Sequence, residues 1–185
     1  MKIYILTAAL LASVSLGGAT PALAFVIEIE DALCPIETIG QAELDGWSST
    51  LVDTNGRLTD AQTDKLGAAL NTCAEKFSWS ENDSISALEF NLSVIASTAI
   101  GDKLTADGID AEGYETVLDD RSAAELKQVL DDPENSTALK ALTDLIVADF
   151  GEKLTDEITA DIATYVAFVA QSRFSALKLL GGSDQ

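Results

Sequence analysis

Carboxylates are the side chains through which this sequence could do chemistry, because it contains 31 aspartate and glutamate residues and no histidine. A Ser-His-Asp triad, a histidine-activated cysteine and every histidine metal site are therefore excluded. No Walker loop, GxGxxG fingerprint, GxSxG turn or CxxC pair occurs either, so the common nucleotide-binding, flavin-binding, esterase and thioredoxin functions lack their motifs. We expect no cofactor, and the chemistry that remains is carboxylate catalysis or cation binding.

Paired carboxylates can cleave a glycosidic bond by general acid-base catalysis. Many pairs are available, but spacing singles out none, and the sequence lacks the glycine- and glutamine-rich stretch that accompanies the catalytic glutamate of lytic transglycosylases. Trp47, Trp79, Tyr114 and Tyr165 could line a sugar site, although aromatic residues in helical proteins more often belong to the core or its rim. We assign no catalytic residue, and a carboxylate-dependent hydrolase acting on cell-wall glycan stays an alternative.

A segment that begins at Leu51, LVDTNGRLTDAQ, has oxygen ligands at two cation-binding positions, Asp53 and Asn55, followed by the glycine of a tight turn. It resembles the calcium-binding loop of EF-hand proteins, and the resemblance implies calcium binding. The match fails at both ends, because Leu51 replaces the first aspartate and Gln62 cannot supply the bidentate carboxylate that encloses the ion. An Asn-Gly turn ahead of a capped helix explains the segment better than a calcium site does.

A second group of carboxylates, Asp107, Asp110 and Glu112, surrounds Gly108. Helix punctuation accounts for most of it, since Gly108 ends one predicted helix and Asp110 caps the next. We therefore assign no metal ligand, and weak divalent-cation binding stays a second alternative.

The N-terminus has the parts of a secretory signal peptide. Lys2 precedes an apolar run over residues 3–16, and Ala22 and Ala24 are the small residues of a cleavage site. We predict that residues 1–24 are removed, so that the mature chain begins at Phe25. Glycine and proline interrupt the uncharged stretch, which disfavours the alternative of a retained membrane anchor.

Cys34 and Cys73 are the two cysteines of the chain. In the oxidising compartment that export implies, an even number of cysteines favours a disulfide. We predict that they are joined, closing a loop of about 40 residues and stabilising the fold by about 4 kcal/mol on the chain-entropy model. The alternative is two buried thiols, because Cys73 lies on an apolar helix face.

The mature chain is strongly acidic. Without Lys2 it has 10 basic and 31 acidic residues, a net charge of −21. This charge repels phosphate backbones and anionic lipids, so a nucleic-acid partner is excluded. The carboxylates are spread over the predicted helices, which is typical of a solvated surface; recruitment of cations or of a basic protein is the functional alternative.

Helical periodicity dominates the rest of the chain. A capping box at Thr59 begins a helix over 60–76, in which Leu66, Leu70, Cys73 and Phe77 share one face. A second helix over 81–106 has an uncharged middle and is predicted to be the central, buried helix. Further helices are predicted at 111–119, at 122–132, from Pro133 to Gly151 and from Thr155 to about Leu180. The inward face of the helix that begins at Pro133 is predicted to comprise Leu139, Leu142, Leu145, Ile146 and Phe150.

A strand-like alternation occurs from Phe25 to Glu30, where it has no partner strand. The sequence therefore predicts an all-α fold, a single compact domain of five to seven helices over residues 25–185. We expect no membrane span in the mature chain. Since no catalytic set of residues emerges, we expect a periplasmic or secreted, non-enzymatic module that binds an unknown protein or small molecule.

Overall fold

The computed structural model describes residues 28–181, apart from 55, 112, 114, 116–117, 119–120, 133–135, 152–153 and the side chains of 143 and 147. The predicted cleavage site, Phe25 and Pro133 lie outside this part of the chain. Within it there are eight helices and no strand, which confirms the all-α class. The helices are α1 Ile29–Ala32, α2 Cys34–Ile39, α3 Gln41–Asp53, α4 Asp60–Phe77, α5 Glu81–Ala106, α6 Ala123–Asp131, α7 Thr137–Phe150 and α8 Asp156–Leu179.

Helix α5 is the central element, as predicted. The side chains of Ser80 and Asp83 cap its first turn reciprocally, and Gly108 follows its end with a φ of 83°. By length and composition alone α5 could cross a membrane, since its most apolar window has a mean hydropathy of 1.2. Its residues contribute to three separate apolar clusters, so packing between helices accounts for that composition.

The three clusters place the other helices around α5. One joins its C-terminal half to α6, α7 and α8 through residues such as Leu104, Leu126, Leu142 and Val166. The second joins its middle to α2, α3 and α4, and the third joins its N-terminal half to α1, α4 and the end of α8. Helices α5 and α8 approach closely at Gly101, where a β-carbon would lie 2.9 Å from Cε2 of Tyr165.

Helices α1–α3 were not predicted, and they raise the number of helices above the expected five to seven. Ile29 and Glu30 belong to α1 rather than to an extended segment, because Ile29 packs against the third cluster. For α3 a signal was present: Leu44, Trp47 and Leu51 recur at helical spacing and all three are buried.

Helices α6 and α8 begin where the sequence predicts, but the predicted inward face of α7 is only partly correct. Ser122 begins α6 with a capping box, and Thr155 caps α8. In α7, Leu142 and Ile146 are buried, but the prediction for Leu145 was wrong, since 47% of this residue is exposed. The described part of the predicted helix 111–119 is helical at residues 111, 113, 115 and 118.

Candidate functional site

The predicted disulfide joins Cys34 at the start of α2 to Cys73 on the inner face of α4, with 6.0 Å between the Cα atoms. Pro35 lies in the first turn of α2, where a missing N–H costs nothing. Both cysteines are buried, and the hydroxyl of Thr38 lies 3.6 Å from Sγ of Cys73. The bond is therefore shielded from solvent, as expected of a structural crosslink in an oxidising compartment.

In the structure, the segment that resembles an EF-hand loop forms the end of one helix and the start of the next. Leu51 and Asp53 belong to the last turn of α3, and Asn55 lies outside the described residues. At the other end, Oε1 of Gln62 accepts the backbone N–H of Thr59 at 2.9 Å, while the hydroxyl of Thr59 accepts the N–H of Gln62. Both ends of the segment are thus parts of helices, which accounts for it without an ion.

The carboxylates near Gly108 also serve local structure. Asp107 is the C-terminal cap of α5, and Oδ1 of Asp110 accepts the backbone N–H of Gly113 at 3.3 Å. Glu112 lies outside the described residues. Among the residues that are described, no group of three or more Asp, Glu or Cys side chains is arranged to hold a metal ion.

The aromatic residues considered for a sugar site are not brought together. Trp47 is buried in the second cluster and donates its indole N–H to Glu43 at 3.2 Å. Trp79 packs against the third cluster and stacks on Phe77, and Tyr165 belongs to the first cluster. Tyr114 lies outside the described residues, so the three described candidates occupy three different parts of the core.

A polar network ties α8 to the segment between α5 and α6. The carboxylate of Glu115 accepts the hydroxyl of Tyr165 and, at 3.3 Å, Nη2 of Arg173. The side chains of Arg173 and Glu115 are only 14% and 17% exposed. Sequence patterns did not identify this network, because its members are 50 and 58 residues apart along the chain.

Two further ion pairs join α5 to α8. Nζ of Lys103 lies 2.5 Å from Asp161 and 3.1 Å from Glu157, and these hydrogen bonds, the one to Asp161 first, raise the pKa of the lysine. Near the other end of α5, Nζ of Lys178 lies 3.2 Å from Glu89. These carboxylates are therefore committed to holding the two longest helices together.

An apolar cavity lies between α5, α7 and α8. It is lined by seven side chains that include Leu104, Ile146 and Tyr165, and its volume is about 10 Å³. A space of this size holds at most about one water molecule. The cavity is therefore a packing defect of the core and too small for an organic ligand.

Two apolar side chains at the start of α5 are exposed. Ile85 is 49% and Leu88 is 37% exposed, and one turn further along Leu92 is half-buried against the second cluster. The three residues are separated by steps of three and four, so they lie on one face of the helix. That spacing was visible in the sequence, but a helix predicted to be surrounded by protein gave no reason to expect exposure there.

Comparison with protein-family models, with curated protein sequences and with solved structures finds no match for this chain. The functional argument therefore depends on the residues described above.

Proposed function

We propose that this chain is an exported, non-enzymatic helical protein that acts by binding a partner on its surface. One observation carries this proposal: among the described residues, two carboxylates that are largely withdrawn from solvent, Glu115 and Asp161, are engaged by arginine and lysine that hold helices together. Their arrangement needs no catalytic role. The proposal further assigns residues 1–24 to a cleaved signal peptide and 25–185 to one helical domain, with the disulfide formed after export to the periplasm or to the outside of the cell.

Export is tested by N-terminal sequencing of the full-length gene product recovered from the envelope or the medium. We expect the main species to begin at Phe25 and to contain no free thiol. A main species that begins at Met1, or one in which Cys34 and Cys73 both react with a thiol reagent after denaturation, contradicts this assignment.

Binding and hydrolysis are separated by assaying the purified mature protein on isolated cell-wall glycan. We expect no release of reducing ends above the buffer control. Release that is abolished by both Asp161→Asn and Glu115→Gln, in variants that keep the wild-type circular dichroism spectrum, would instead establish the hydrolase.

Cation binding is tested by calorimetric titration of the same protein with calcium chloride. We expect only weak heats that Asp53→Asn leaves unchanged, because both ends of the segment from Leu51 to Gln62 are parts of helices. Saturable binding that Asp53→Asn removes would favour the second alternative.

A further inference from the structure

The face of α5 that carries Ile85, Leu88 and Leu92, here called the α5 strip, continues a buried cluster out to solvent. Leu92 packs against the cluster that contains Ile36, Leu44 and Ile95, so α3 and its neighbours cover this side of α5 in its middle. Toward the N-terminus of α5 the same face is exposed at Leu88 and Ile85. Apolar residues at steps of three and four form the ridge against which a further helix packs.

The surroundings of the α5 strip are acidic. Residues 28–56 contain seven aspartate and glutamate residues and no lysine or arginine. This part of the chain packs beside the strip, since Nδ2 of Asn91, one turn from Leu88, donates to the backbone carbonyl of Ala32 at 2.7 Å. Glu81, four residues before Ile85 and on the same face, is exposed as well. The exposed apolar side chains are thus bordered by a chain segment with an excess of negative charge, in which one carboxylate, Glu43, is paired with Lys65 of α4.

We propose that the α5 strip binds a basic amphipathic helix of a partner protein, a proposal that rests on the binding function given above. The apolar side of such a helix covers Ile85 and Leu88, and its lysine and arginine residues meet the acidic border. A second copy of this chain does not fit the same surface, because two mature chains that each carry a net charge of −21 repel each other. Anionic lipid surfaces are disfavoured for the same reason.

The first test uses the mature protein and a designed helical peptide of about 14 leucine and lysine residues as probe. Fluorescence anisotropy gives its Kd at about 50 mM and about 300 mM salt, where screening differs strongly. We expect saturable binding that weakens at the higher salt and that the double variant Ile85→Ser, Leu88→Ser weakens by about tenfold. A peptide of equal charge, with serine in place of leucine, is expected to bind much more weakly.

The matched control is Leu145→Ser on α7, because Leu145 is exposed to nearly the same extent as Ile85, 47% against 49%. It is expected to leave the Kd unchanged. Should the double variant fold poorly, Glu81→Lys tests the acidic border without touching an apolar residue, and weaker binding is expected. Equal effects of Leu145→Ser and the double variant, or equal binding of the serine peptide, would overturn the proposal.

The second test distinguishes failure of this surface from failure of the binding function. A photoreactive amino acid replaces Ile85, Leu88 or Leu145 in the exported full-length chain, and crosslinks formed in intact cells are mapped by mass spectrometry. Adducts from positions 85 and 88 to a segment with an excess of lysine and arginine support the proposal. Adducts from position 145 alone overturn the α5 strip but keep the binding function, and adducts from none of the three positions count against both.

Discussion

The helices on either side of α5 are held in different ways. Helices α1–α4, the N-terminal group, are joined by the disulfide between α2 and α4 and by an exposed ion pair between Lys65 and Glu43. Helices α6–α8, the C-terminal group, have no cysteine, and three ion-paired networks centred on Lys103, Arg173 and Lys178 connect α8 to its neighbours. The first group is crosslinked covalently, whereas the second is held by packing and charge.

Helix length explains this difference. Helices α1 and α2 have four and six residues, and isolated helices shorter than about 12 residues are marginal in water. They are ordered because the disulfide and packing against longer helices hold them in place. Helices α5 and α8 have 26 and 24 residues and bury a long apolar contact, so they can support each other. The comparison therefore predicts that the stability of the N-terminal group depends on a few specific bonds. The C-terminal group is predicted to tolerate the loss of one ion pair.

The largest effect is expected from removing the disulfide. Cys34→Ala with Cys73→Ala should lower the free energy of unfolding by about 4 kcal/mol, because the open loop regains its freedom in the unfolded chain. Urea unfolding measures the loss. Hydrogen exchange should show that amides of α2 lose protection before those of α8. Equal loss of protection in both helices would contradict the difference between the two groups.

A smaller effect is expected when Arg173 in the C-terminal group is replaced. Arg173→Met leaves the partly buried carboxylate of Glu115 with the hydroxyl of Tyr165 and should cost about 2 kcal/mol. The control is Lys127→Met, whose ion pair with Asp131 is exposed and is expected to contribute less than about 1 kcal/mol. If both variants have the same urea midpoint, the network around Glu115 does not stabilise α8.

Much of this fold could be predicted from the sequence. The parts that could not be predicted were missed for one common reason. The bounds of α4, α5 and α8 follow from capping residues, glycine stops and long apolar periodicity, all of which are local. The disulfide was predicted from cysteine number and compartment. Helices α1 and α2 were missed because their few residues give too short a period. Contacts with Ala87 and Leu70 from distant helices stabilise α1, and the second cluster and the disulfide hold α2.

The candidate surface was harder to predict than the fold. Leu145 and Ile85 are apolar and lie at the spacing that is typical of buried helix positions. Whether such a side chain is exposed depends on where the neighbouring helices end. The network around Glu115 likewise joins residues that only the tertiary structure brings together. Local patterns identify which side chains share a face, and they do not say which faces are covered.

After the disulfide and Arg173, a third and smaller effect is expected at Asn91, whose side chain joins α5 to α1 in the N-terminal group. Its Nδ2 donates to the carbonyl of Ala32 in α1 and to that of Ala87 in its own helix. Asn91→Leu keeps the volume but removes both bonds and leaves the carbonyl of Ala32 without this donor, at an expected cost of about 1 kcal/mol. Hydrogen exchange should show the loss mainly in α1 and α2. Asn82→Leu, at an exposed position of the same helix, is expected to change stability by less than about 0.5 kcal/mol. Equal effects of the two variants would exclude a role for these bonds.

The smallest effect expected concerns the capping boxes, which differ between the two groups. In α4 the box uses neutral Gln62, whereas in α6 it uses Glu125. The backbone N–H of Ser122, then its hydroxyl and Arg121, lower the pKa of Glu125. A lowered pKa contributes stability that is fully present above the ordinary pKa of a glutamate and is lost as pH falls through the lowered pKa of the folded state. Glu125→Gln should therefore be destabilising near neutral pH and indistinguishable from wild type below the lowered pKa, whereas Gln62→Glu should give α4 the same pH dependence. Urea midpoints measured across acidic pH decide this, and a constant difference between Glu125→Gln and wild type at every pH would refute it.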